Sequence, residues 1–402
     1  RPTGRPVHLR RVAVLGVAVV LGGPGDVSNR HVRDSSAATP GATASEGTGR
    51  SVEGKGAAVT GGANGIGLAM GRLFAERGMS VMLADIQPDP LAAAVAGLRA
   101  RGVKVFFVHH GDLDAAADDT LKLKSLTSSH RYIISSPRTK RTITELLRRE
   151  RVDLVHVSLS FSTLIDFGLP ELCHELGLPV VATFHVPYDS RFSLWQGIST
   201  ALYRFYSQSL ASYDRVVIFS EQQKALLTHY GVPESNIAVI PNGVDVQKYA
   251  PGPSAYRETA GAATLIGYLG RLDPEKNVDA LLRAFQDLDA PEDVRMLLVG
   301  SGSDRRRLAR RFASDRVIFT GQVLDEAARI DMLRAMDIFV LPSMVEGLSL
   351  SLLEAMACGV AAVATDVGSD GEALRGAGLV IAVKGLEGQL RLALRTLIDY
   401  PE

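Results

Sequence analysis

From Ala57 onward, short apolar runs rich in β-branched residues alternate with helical patterns of about ten to fifteen residues. That alternation constrains the chain more than any other feature. Strand, crossover helix and parallel strand pack as βαβ units, and helices on both faces of a sheet demand strands that are apolar throughout. Strands are expected at 57–60, 81–84, 105–108, 154–157, 180–183, 216–219 and 238–240, then at 265–269, 296–299, 317–319, 338–341, 360–364 and 379–383. Two such sets predict an α/β protein of two doubly wound, Rossmann-like domains facing across a cleft, since ligands of open parallel sheets bind beyond the carboxyl ends of the strands. The break is expected in 250–263, where Pro251, Gly252 and Pro253 interrupt the pattern. The expected organisation is an irregular or disordered leader over 1–55, a first domain over 56–249 and a second over 250–402.

Composition narrows the partners. With 44 Lys and Arg against 44 Asp and Glu, nothing global draws the chain to nucleic acid, so any anion site must be local. Two cysteines, Cys173 and Cys358, provide neither a disulfide framework nor the paired spacing of a zinc site, and no metal is expected. The longest apolar run, Val12 to Gly22, falls short of the roughly 18 residues of a membrane span. Residues 28–55 hold too few large apolar side chains to offset the entropy of ordering and read as a disordered linker. A cytoplasmic location is expected. The basic stretch Arg138, Lys140, Arg141, Arg148, Arg149 and Arg151 is a candidate for peripheral contact at the inner membrane face, with a solvated helix face as the commoner alternative. Phe192, Trp195, Tyr203, Phe205 and Tyr206 form an aromatic segment suited either to an acceptor site or to helix packing.

Thr60-Gly61-Gly62-Ala63-Asn64-Gly65-Ile66-Gly67 follows a strand and opens a helix, and Asp85 ends the next strand, where a ribose-binding acid would sit. Gly61, Gly62, Gly65 and Gly67 would let a phosphate approach the helix N-terminus, or would simply make the turn. Residues 56–112 resemble the cofactor loop of short-chain dehydrogenases. That family's catalytic Tyr with a Lys four residues later is absent, so dinucleotide binding and an oxidoreductase activity stand as the alternative function.

The second half carries a denser constellation. Glu346-Gly347-Leu348 follows a strand, and Glu354 lies on the helix after it, with seven residues between the two carboxylates. A carboxylate where a strand end meets a helix N-terminus can accept hydrogen bonds from ligand hydroxyls. Together with Asp153-Leu154-Val155-His156-Val157, Thr183-Phe184-His185, Pro241-Asn242-Gly243-Val244-Asp245, Gly270-Arg271 with Lys276, Gly300-Ser301-Gly302 and Thr320-Gly321-Gln322-Val323, this pair resembles glycosyltransferase family 4, over about 121–402.

The resemblance implies the GT-B fold, with the acceptor on the first domain and a nucleotide-sugar on the second. It implies transfer of a hexose, with retention, from a nucleoside diphosphate sugar to a hydroxyl of a glycan, lipid or small molecule, without metal or cofactor. Glu346, with Gly347 and Leu348, would hold the transferred sugar, and Glu354 the ribose. Arg271 and Lys276 would grip the diphosphate, where fixed cations stabilise the charge that grows as the glycosidic bond breaks. Gly300 and Gly302 would bring backbone amides near the nucleotide, Val323 would meet the base, and His185 would stand near the sugar and acceptor. His156 reads as structural.

The resemblance also has gaps. Two segments compete to be the first strand, 12–26 with Gly22-Gly23-Pro24-Gly25 and the dehydrogenase-like 57–67. Family members also continue past the position of Glu402 into a helix that crosses back to the first domain, and a chain lacking it is expected to close loosely and turn over slowly; beside the oxidoreductase, an inactive chimeric or degenerate transferase that only binds nucleotide is the other alternative function.

Overall fold

A computed structural model describes residues 11–14, 56–60, 65–84, 96–97, 105–110, 120–123, 125–128, 133–135, 138–149, 152–159, 168–185 and 204–400. They group into two compact units, one reaching Phe184 and including Ser212–Arg215, the other formed by His185–Ala211 and Val216–Glu402.

The first unit holds two parallel sheets. In one, β1 (Arg11–Val14) pairs with β8 (Val152–Leu159), which pairs with β9 (Val180–Phe184). The other is four-stranded, in the order β2 (Gly56–Thr60), β3 (Ser80–Ala84), β4 (Val105–His110), β5 (Thr120–Leu123). A small antiparallel pair, β6 (Ser125–Ser128) and β7 (Ile133–Ser135), follows.

Two expectations change here. Arg11–Val14 lies in the stretch read as a leader, yet it is a strand, because its apolar run satisfies its backbone groups along β8. The dehydrogenase-like strand β2 does not open that sheet but starts one of its own. The disorder expected over 28–55 falls outside the described residues.

Side chains of β8 and β9 show why the first sheet sits in a core: Val155, Val157, Leu159, Val180, Ala182 and Phe184 are all buried. The Asp214 carboxylate fastens the start of β9 by accepting the Val180 amide at 2.7 Å. His156 lies inside the sheet, bonded to Thr183 Oγ1 at 2.7 Å, in keeping with a structural role. Helix α1 (Gly65–Glu76) follows β2, and α2 (Arg138–Arg149) buries Ile143 and Leu147 while Lys140, Arg141, Arg148 and Arg149 stay exposed. In α3 (Leu169–Glu175), Cys173 is wholly buried, and burial with the nearby Asp214 charge pushes its thiol up to about 12. Among the described residues no helix is long and apolar enough to cross a membrane.

The second unit takes in β10 (Arg215–Ile218) from Val216 on, paired in parallel with β11 (Ile237–Val239) and joined to it through α4 (Glu221–His229). Its main sheet has six parallel strands: β12 (Thr264–Leu269), β13 (Val294–Val299), β14 (Val317–Gly321), β15 (Ile338–Leu341), β16 (Ala361–Thr365) and β17 (Leu379–Ile381). Their spatial order is β14-β13-β12-β15-β16-β17, so the winding reverses between β12 and β15. Near-continuous apolar runs such as Ile338-Phe339-Val340-Leu341 follow from helices covering both faces.

The segment expected as a break, 250–263, holds the short helix α5 (Ala255–Ala260). Asp331, on α8 (Glu326–Ala335), accepts the Ala255 and Tyr256 amides at 2.9 and 3.0 Å, and its carbonyl accepts the Ser254 hydroxyl at 2.8 Å. Helix α5 is thereby fixed to the second unit. Asp331→Ala leaves two helix-start amides without their acceptor and is expected to lower stability by about 1–2 kcal/mol, read from the urea midpoint.

Candidate functional site

The reversal of winding between β12 and β15 is the place where an open parallel sheet offers a crevice. The loops leaving these two strands bring Lys276 and Glu346 together. After β12 the chain runs through Gly270-Arg271-Leu272-Asp273 into a single 3-10 turn, Pro274–Lys276, and then α6 (Val278–Gln286). After β15 it runs through Ser343 to Ser349 and enters α9 (Leu350–Ala357).

Lys276 Nζ lies 2.6 Å from Glu346 Oε1, both side chains largely buried, and Ser343 Oγ donates to the same oxygen at 2.8 Å. With both bonds on Oε1, the other carboxylate oxygen is left to accept from a ligand hydroxyl. An ammonium has three N–H donors, so Lys276 can hold Glu346 and reach a phosphate as well. Arg271 stands on the same loop, half exposed, with its guanidinium on Asp273 and, at 2.9 Å, Glu275. Asp273 in turn accepts the Ser303 amide and hydroxyl at 2.8 and 2.9 Å, which ties the β12 and β13 loops together.

Around Glu346 the backbone is held on several sides. Asn242 Nδ2 donates to the Leu348 carbonyl at 3.0 Å, Ser369 N to the Gly347 carbonyl at 2.7 Å, and Ser349 N to Asp370 Oδ1 at 2.7 Å. Gly368 has φ +55° and passes so close beneath that a Cβ would lie 2.2 Å from the Glu346 carbonyl oxygen, so no side chain fits. Phe219, just past β10, has its ring 4.0 Å from where a Cβ on Gly347 would lie, and the His185 ring packs on it at 5.2 Å between centroids. His185 is exposed at the surface, and partial desolvation lowers its imidazole pKa.

Gly300 and Gly302 have a packing role in the loops themselves. Gly300 has φ +140°, and a Cβ there would sit 1.9 Å from the Gly270 carbonyl oxygen, while one on Gly302 would meet the Leu272 backbone at 2.5 Å. The Gly300 amide already donates to the Gly321 carbonyl at 2.8 Å. These glycines therefore let the Arg271 loop cross the β13 loop.

Glu354 forms a second cluster with residues the sequence did not single out. The Tyr249 hydroxyl donates to Glu326 at 3.2 Å and lies close to the Glu354 carboxyl. Burial raises the Glu354 pKa, with Tyr249 and Arg329 opposing. Arg329 also holds the loop carrying Val323, donating to the Val323 and Leu324 carbonyls at 3.3 and 3.0 Å. Of the Gly-rich loop, Gly65 and Gly67 fall in α1, whereas Gly61, Gly62 and Asp85 lie outside the described residues, as do Phe192, Trp195 and Tyr203. Among the described residues no three His, Cys, Asp or Glu side chains are grouped as a metal site requires.

Comparison with known proteins gives this arrangement a lineage. Residues 91–248 match Glycosyltransferase Family 4, and residues 263–399 match Glycosyl transferases group 1. A GDP-mannose-dependent alpha-mannosyltransferase of Mycolicibacterium smegmatis is 30% identical over 261 residues, 63% of this chain and 67% of that protein.

The chain belongs to glycosyltransferase family 4.

A D-inositol 3-phosphate glycosyltransferase of Rhodococcus opacus is 34% identical over 48% of this family 4 chain and 47% of its own length, so the chain spans about half of that relative. The sucrose-phosphate synthase structure from Thermosynechococcus elongatus superposes with a TM-score of 0.62 over 97% of this chain and 90% of that one, at 19% identity. That likeness is one of fold, the GT-B type built from two parallel-sheet α/β domains. Residues 55–123 of this family 4 member also match short chain dehydrogenase, in the segment that forms the separate β2–β5 sheet.

Asp370 gives this site a pH dependence. Burial, then the neighbouring Glu346 charge, push its carboxyl from an ordinary 3.8 up to about 8. Between those values the folded protein keeps a proton that the unfolded chain has released, so stability falls as pH rises through that window. Asp370→Asn is expected to flatten this decline, measured as the urea midpoint across the pH range.

Proposed function

We propose that this chain transfers a hexose from a nucleoside diphosphate sugar to a hydroxyl acceptor, with retention at the anomeric carbon. The observation that carries the reading is the Lys276–Glu346 pair at the reversal of the six-stranded sheet, 2.6 Å apart. On this reading an acceptor for sugar hydroxyls stands beside a cation for the diphosphate. Family membership supports the same chemistry.

In this reading Glu346 accepts hydrogen bonds from the sugar through its open oxygen and so fixes the anomeric carbon against the leaving group. Lys276, with Arg271 turned from Asp273 and Glu275 toward the phosphates, stabilises the negative charge that grows on the β-phosphate, so the protein's own cations supply this stabilisation without a metal. The acceptor hydroxyl attacks from the face that the phosphate leaves. The bond from the anomeric carbon to the phosphate oxygen breaks, the bond to the acceptor oxygen forms, and the acceptor's proton passes to the departing phosphate. No protein nucleophile is required, and His185, beside Phe219 and the Glu346 loop, orients the sugar or acceptor. Glu354, its carboxyl pKa raised by burial, accepts hydrogen bonds from the ribose diol. The loop of Val323 meets the base.

GDP-mannose is the first donor to test, because the relatives include GDP-mannose-dependent mannosyltransferases, and an inositol phosphate or phosphatidylinositol acceptor is the first acceptor for the same reason. Calorimetric titration with UDP, GDP and ADP, on the wild type and on Lys276→Ala, is expected to show one diphosphate binding and about a hundredfold loss in the variant. Glu346→Gln is expected to lower kcat by a similar factor, and NMR of the product should show the donor's anomeric configuration kept. A wild type that binds no diphosphate overturns the reading.

The dehydrogenase-like match over 55–123 favours a second reading, dinucleotide binding at the β2–β5 sheet. NAD and NADP belong in the same titration. Binding of either, unaffected by Lys276→Ala, would move the functional site there.

A further inference from the structure

Asp370 opens the short helix α10 (Asp370–Leu374) behind β16, and it is wholly buried. Its Oδ1 accepts the Ser349 amide at 2.7 Å, whereas Oδ2, equally buried, has no hydrogen-bond partner. The charged groups facing it are Glu346, from the loop after β15, and Lys276, from the turn before α6, and Lys276 is already paired with Glu346. A carboxyl without a cation of its own is an expensive group to keep in a core. Its one bond nevertheless falls on Ser349, the residue just before α9 and the last of the run Glu346-Gly347-Leu348-Ser349. Its neighbour Ser369 holds the Gly347 carbonyl of the same run.

We propose that Asp370 is a positioning residue of the donor site, fixing the backbone of Gly347–Ser349 through the Ser349 amide while leaving Lys276 undivided for Glu346. The proposal rests on the transferase reading for the ligand alone. With its proton in place, Asp370 adds an acceptor under the loop and no second anion. Once ionised, it competes with Glu346 for Lys276, and the loop that carries Glu346 loosens. Donor affinity therefore acquires an alkaline limb from a group that does not touch the donor. Asparagine in its place keeps the acceptor and removes the titration, and alanine removes both.

The test uses the full chain as wild type, Asp370→Asn and Asp370→Ala. Hydrogen exchange, corrected for intrinsic rates, is followed by mass spectrometry in peptides covering 343–354 at about pH 6 and about pH 9. Affinity for the nucleoside diphosphate selected by the titration above is measured at both values. In the wild type, exchange in 343–354 should quicken by about tenfold at the higher pH, and diphosphate affinity should fall by about the same factor. Asp370→Asn should stay protected and bind alike at both pH values, and Asp370→Ala should exchange fast in this segment at both. Wild-type protection in Asp370→Ala, or an alkaline limb that persists in Asp370→Asn, overturns the proposal. The expected exchange in a wild type that binds no diphosphate supports the Asp370 clamp and overturns the transferase reading instead.

Discussion

The ion pair of Lys276 and Glu346 joins two loops that leave neighbouring central strands in opposite winding directions. The same loops also meet where the Met344 amide donates to the Glu275 carbonyl at 2.8 Å, but without the ion pair each would hold a charge that needs water. Pairing them where the sheet reverses makes the crevice a single charged surface. Each partner retains capacity for a ligand, the lysine in its remaining donors and the glutamate in its second oxygen. Breaking such a pair leaves one buried charge uncompensated, a penalty of roughly 3–5 kcal/mol, so the arrangement persists before any ligand arrives.

The rest of the site keeps that pair in register. Most of the work is done by backbone groups. Asn242 reaches the Leu348 carbonyl from the loop after β11, Ser369 and Asp370 reach Gly347 and Ser349 from below, and Thr365 Oγ1 holds the Ser343 carbonyl at 2.6 Å. Gly300 and Gly302 allow the Arg271 loop and the β13 loop to cross at a separation no side chain would permit. A site made this way is pre-organised, because the groups that would face a growing charge are already aimed and need little reorganisation.

How legible this was in the sequence depended on the kind of interaction. Strands of the second unit could be read closely, 338–341 without error and 360–364 one residue from Ala361–Thr365, because apolar runs covered on both faces leave a strong signal. Glu346 and Lys276 were found through their resemblance to a family. Asn242, Asp370 and Phe219 were not assigned roles, since they act on main-chain atoms or ring faces, in two cases across 106 and 21 positions, and no periodicity encodes such contacts. Gly300 and Gly302 stand out in the sequence but their packing role does not, because glycine spacing looks the same whether a ligand or a neighbouring loop makes the close approach. The first strand was ambiguous for a related reason: 12–26 and 57–67 each offer an apolar run followed by glycines, and only pairing with β8 separates them.

That pairing has a kinetic consequence. Val12 lies opposite Leu154, so one rung of the β1–β8 ladder joins residues 142 positions apart (154 − 12). Closing a flexible loop of that length costs about 4 kcal/mol in chain entropy, beyond the constant term. Contacts so distant along the chain slow folding, because the entropy is lost before the pairing energy is gained. The β2–β5 sheet lies within that loop and is made of near neighbours in sequence, so it is the part placed to form first, and once formed it shortens the free chain that β1 and β8 must close.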